Sequence, residues 1–131
     1  MSAQALRRTG IALTVLVALF LAMDAGGKLF APELMIANSP PLGLPDDPQF
    51  HRLLGAILAA SLALYLVPRT ALLGAILLTG YLGGAVASHA RVGSPLMSHT
   101  LFGVYIGVLL WAALWCRLLA LRALLPLRKG E

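Results

Sequence analysis

The chain has 131 residues, of which 60% are hydrophobic and 11% charged. That apolar share, against roughly 45–50% in soluble domains, excludes a water-soluble fold, and at roughly 20 residues per spanning helix the length holds four spans and their loops. The net charge of +5 does not point to nucleic acid, because no basic and aromatic surface accompanies it; basic residues at span ends instead orient a membrane protein and attract anionic lipid headgroups.

The first apolar run covers about residues 9–31, behind Arg7 and Arg8. A basic start before an apolar run also describes a signal peptide. This run, however, is longer than the ~7–15 residues of a signal core, has no Ala-x-Ala site after it, and continues through Asp24 and Lys28. Pro32 ends it. Residues 32–49 carry Pro40, Pro41, Pro45 and Pro48 among Asn, Ser, Gly and Asp, which predicts turns and extended chain in a loop long enough to form a lid. A second span covers about 50–67 and closes on a tight turn at Pro68-Arg69. The third covers about 70–90, and a fourth runs from about 98 to 117 or beyond. The remaining leucine-rich tail, with Arg122, Arg128 and Lys129, reads as an interfacial extension. The predicted fold is all-α, one transmembrane four-helix bundle over residues 1–131.

Basic residues are unequally divided between the two ends of the bundle. Arg7, Arg8, Arg69, Arg117, Arg122, Arg128 and Lys129 fall on one side and Lys28, Arg52 and Arg91 on the other, so the first side, with both termini, is expected in the cytoplasm. Lipid gives helices no hydrophobic reward for associating, so small residues must let backbones approach. Gly80 with Gly84, and Gly103 with Gly107, are expected to bring the third and fourth spans together. Ala22 with Gly26 and Gly55 with Ala59 give weaker versions, and the same glycine-rich faces suit an oligomer.

The polar residues collect near the outer end. Asp24 and Lys28 close the first span, His51 and Arg52 open the second, His89 and Arg91 close the third, and His99 opens the fourth. Asp24 and Lys28 are one helical turn apart and can pair. Charges at the bilayer centre cost on the order of 2.5–3.5 kcal/mol each, less toward the interface, so these residues are candidates for a ligand site. The opposing reading has Lys28 reaching for headgroups with Asp24 neutralising it, and His51 and Arg52 sitting where any interface is polar. Histidines with Asp24 can hold a transition metal or haem iron. No recognised spacing supports either, and the lone Cys116 adds no motif. A polar ligand head such as a quinone carbonyl makes fewer demands. No nucleophile elbow, phosphate loop or Cys-x-x-Cys is present, so independent enzymatic activity has no support.

Three segments carry a resemblance: Gly26-Gly27-Lys28-Leu29, Leu66-Val67-Pro68-Arg69-Thr70-Ala71, and Thr79-Gly80-Tyr81-Leu82-Gly83-Gly84-Ala85 continuing to His89 and Arg91. From about residue 9 to 125 the chain resembles the DoxX-like family of small four-helix membrane proteins. The resemblance implies a redox-associated subunit, since the family takes its name from a subunit of quinone-coupled sulfur oxidation, and Lys28 is the residue that matches the family's first-helix ending. Distant relatives are assembly or trafficking factors. The expectation is therefore an accessory protein of the bacterial inner membrane that binds a quinone-like amphiphile among Asp24, Lys28, His51, Arg52, His89, Arg91 and His99. Its expected partners are membrane lipid and a redox protein or other membrane subunits. The alternatives are a structural or assembly subunit and, third, a small transporter.

Overall fold

The computed structural model describes residues 1–38, 41–128 and 130; Pro40 and Lys129 lie outside them. Helix α1 spans Ala3–Phe30 and starts earlier than expected, because Ser2 caps it by accepting a hydrogen bond from the Ala5 amide at 3.1 Å. Helix α3, Pro48–Leu66, opens on Asp47, whose carboxylate accepts from the Gln49 amide at 3.0 Å, followed by a proline in the first turn, where no amide is missed. Helix α4, Ala71–Arg91, ends at Gly93, whose φ of 68° is the left-handed conformation glycine accepts most readily. A π-helical turn, Leu96–Thr100, leads into α5, Phe102–Arg117. Counted together, the last two make a 22-residue fourth span beside spans of 28, 19 and 21 residues. The shortest reaches about 29 Å at ~1.5 Å per residue, the thickness of the hydrocarbon layer.

The predicted loop is partly helical. Residues Pro32–Asn38 form α2, because Pro32 suits a first helical position and the helix-forming stretch Glu33-Leu34-Met35-Ile36-Ala37 precedes the cluster of prolines. At the other end, α6 covers Leu119–Leu124. Arg122 turns back over the Trp115 ring and donates to the carbonyls of Trp115 and Cys116, satisfying acceptors that the end of α5 leaves open.

The long helices form a square in chain order, α1 against α3 and α5, and α4 against the same two. Val17, Leu58, Leu78 and Leu110 are fully buried at its centre. Tyr65, also fully buried, crosses from α3 to α5 and donates from Oη to the Leu110 carbonyl at 2.8 Å. Large apolar side chains such as Leu19, Met23 and Val108 point outward, as they do in a bundle whose solvent is lipid. The start of α1 and the end of α5 lie at one end of the bundle, where Gly10 of α1 fits against Cys116 and Arg117 of α5. The opposite, distal end carries the roof formed by α2 and the segment that follows it.

The glycine pairs act only in part as the sequence pattern implies. A Cβ on Gly103 would come within 2.9 Å of Val86 Cγ2 and 3.1 Å of the Leu82 carbonyl, so Gly103 does seat α5 on α4. Gly80, Gly84 and Gly107 have no atom within 4 Å of such a carbon, and neither has Gly26. Spacing alone cannot tell which face of a helix meets a neighbour. The tightest approach is at Gly74, whose missing side chain leaves room for the Tyr65 backbone, and Gly55 also lies close against Lys28 and Ala25 of α1. Tyr105 is 40% exposed and donates to the Met97 carbonyl at 2.8 Å.

Candidate functional site

Toward the distal end the helices border a partly open cavity of about 1150 Å³. Its walls come from α1, α3, α4 and the π turn with α5, and its roof from Met35 and Ile36 of α2 and the segment 41–46. The roof is tied down by Arg91, whose Nη2 donates to the Leu42 carbonyl at 2.6 Å. Gly43 has a φ of 70° and lies beneath the same guanidinium, a conformation and a fit that favour glycine.

Five of the seven residues singled out from sequence line this cavity: Asp24, Lys28, His51, His89 and His99. Arg91 is outside the lining and acts as the tie for the roof. Arg52 is half-buried and outside the lining too, since the next position along a helix is turned about 100° from His51. Asp24 and Lys28 form an ion pair one turn apart, with side chains 35% and 16% exposed. The Lys28 ammonium also sits 6.0 Å from the centre of the Tyr81 ring, across the bundle on α4, within the range of a cation–π attraction.

Each histidine is held through Nδ1. His51, buried, approaches the Asp47 carbonyl at 3.2 Å; His89 meets Ser94 Oγ at 3.1 Å; His99 meets Ser98 Oγ at 2.7 Å. The His89 and His99 rings are 5.9 Å apart, the proximity expected from the short connection between their helices. No histidine is hydrogen-bonded to Asp24, and among the described residues no three His, Cys, Asp or Glu side chains converge to hold a metal. Nε2 of all three histidines and the Tyr81 hydroxyl make no hydrogen bond within the described residues.

Tyr81 lines the cavity although it is not among the residues singled out from sequence. Its spacing holds the missing signal: Tyr81, Ala85, Ser88 and His89 stand at i, i+4, i+7 and i+8, on one helix face, and all four line the cavity. Phe20, Asp24 and Lys28 repeat the pattern on α1. The cavity is therefore polar around Asp24, Lys28, Tyr81 and the histidines, and apolar along Leu21, Leu54, Leu82 and Ile106. That division suits a molecule with a small polar head and an apolar body.

Comparison with curated proteins and comparison with solved structures both find no match. A family model does match, over residues 12–113, and with four apolar helices long enough to span a bilayer the chain belongs to the DoxX-like family.

Proposed function

We propose that this integral membrane protein is a redox-associated accessory subunit that binds a quinone-like amphiphile in its distal cavity. The observation that carries the reading is a large void bordered by polar atoms that have no hydrogen-bond partner among the described residues and stay accessible to the void. A purely structural polar cluster closes into mutual hydrogen bonds, because unpaired groups in a low-dielectric site are costly. Here the Tyr81 hydroxyl and the histidine Nε2 atoms border the void without closing into such a network, so they are available to a ligand. Lys28 and Tyr81 supply donors for a carbonyl head, and the apolar wall suits a ring.

The direct test is to purify the protein in lipid nanodiscs and analyse the bound fraction by mass spectrometry. A ring amphiphile near one equivalent is expected with the wild type and is depleted in Lys28→Met. Only bulk lipid, identical in both, would overturn the reading. Tyr81→Phe removes one donor without changing the cavity's shape and is expected to weaken ligand binding about tenfold, the effect of one lost hydrogen bond in an apolar site.

The basic asymmetry supports a cavity on the outer face of a bacterial inner membrane, with both termini cytoplasmic. Reporter fusions after Glu131 and within Leu42 to Asp47 are then expected to give opposite signals. The same signal from both would contradict this placement. A redox protein or another membrane subunit is the proposed partner, in keeping with the redox-associated subunit that the family resemblance implies.

A further inference from the structure

The cavity has more volume than a ring head fills, and its walls differ in how firmly they close. The roof is tied by Arg91 to Leu42. The seam between α1 and α5 is covered by Phe20 and Phe102, edge to face at 6.1 Å. Between α4 and α5, Gly103 lies against Leu82 and Val86. The α3–α4 seam is different. These helices are pressed together near the tight turn, where Gly74 meets Tyr65, while farther out Leu54 of α3 and Gly80 and Gly84 of α4 face the void. Gly80 and Gly84 are exposed, line the cavity, and have no atom within 4 Å of where a Cβ would stand. Counted back from Arg91 at ~1.5 Å per residue, they lie roughly 16 and 10 Å below the distal end of α4, inside the depth of a ~30 Å hydrocarbon layer.

We infer that the cavity takes its ligand sideways from the bilayer through the α3–α4 seam, with the ligand's chain lying across the Gly80–Gly84 sill and its head beside Tyr81 and Lys28. This rests on the reading of the cavity as an amphiphile site and narrows the ligand to lipid-borne molecules that carry a chain. An apolar tail needs no polar groups along its path and loses nothing by staying in the membrane. A head drawn from water would have to pass the tied roof. The two glycines leave the sill low, so their lack of a side chain has a use other than helix packing.

The test uses the bilayer-embedded protein and two probes with the same methoxy-benzoquinone head, one without a chain and one with a decyl chain. Gly84→Leu and, separately, Gly80→Leu fill the sill without meeting protein atoms at Cβ, so both should keep the wild-type melting temperature. Gly83→Leu is the control, because Gly83 is also open but does not line the cavity. The wild type and Gly83→Leu are expected to bind both probes. The two sill variants are expected to bind the chainless head as the wild type does and the decyl probe at least about tenfold more weakly, the scale of overlap with one added side chain. Undiminished decyl binding by both sill variants, with the chainless probe still bound, would overturn lateral access and leave the cavity reading standing. Loss of decyl binding on Arg91→Ala but not on the sill variants would assign the route to the roof and overturn it as well. A wild type that binds neither probe would remove the amphiphile reading and this inference together. A change from dimer to monomer in Gly84→Leu, measured by particle mass, would assign the face to a second copy of the chain and also overturn the inference.

Discussion

Gly74→Ala is expected to destabilise the bundle by more than about 3 kcal/mol, at or above the upper end for added volume in a packed core. A methyl group at residue 74 would fall on the backbone nitrogen and Cα of Tyr65. Backbone atoms of a helix cannot swing aside as a side-chain tip can, so α3 and α4 must separate at their shared turn. The separation would carry Tyr65 away from Leu110 and open the diagonal that its hydroxyl bridges. Thermal unfolding in detergent measures this, and Gly107→Ala provides the comparison. Gly107 has empty space around it, so alanine there should be neutral or stabilising by up to about 1 kcal/mol through better helix propensity. Equal melting temperatures for the two variants would show that the α3–α4 crossing is looser than the Gly74–Tyr65 contact implies.

Lys28→Met is expected to cost on the order of 1–3 kcal/mol and to abolish ligand retention. The Asp24 carboxylate would remain in the cavity wall without its cation, and the cost of a charge in the bilayer falls from about 3 kcal/mol at the centre toward the interface. Adding Asp24→Asn should recover part of the stability, because removing both members leaves no charge behind. On the proposed function ligand retention should stay low in the double variant, since Lys28 would also be the donor to the ligand's head. Additive losses of stability would mean that the two residues do not depend on each other. Recovery of binding together with stability would mean that Lys28 serves the fold and not the ligand.

The sequence made the four spans legible because twenty-residue apolar runs have few alternative uses. It also placed Asp24, Lys28, His51, His89 and His99 at one depth, since position along a helix converts directly into height in the membrane. Facing is harder to read. Arg52 follows His51 and is nevertheless turned out of the cavity, and the hydropathy of a helix bathed in lipid barely distinguishes its inner from its outer side. The same ambiguity made Gly84 look like a packing residue and left Tyr81 out of the candidate site. The tie from Arg91 to Leu42 spans 49 positions and leaves no local pattern at all.

His51 sets a chemical condition on whatever fills the cavity. The Asp47 carbonyl beside Nδ1 can only accept, so the neutral imidazole keeps its proton there and presents Nε2 as a lone pair. Lys28 and Tyr81 offer protons. A molecule that only accepts, such as a diketone, answers the latter two and leaves His51 unsatisfied, whereas one with a hydroxyl opposite a carbonyl, or a dihydroxy ring, satisfies both kinds of atom. If the occupant is the amphiphile proposed above, the hydrogen-bonding sense of this one buried ring would favour its hydroxyl-bearing form over the diketone.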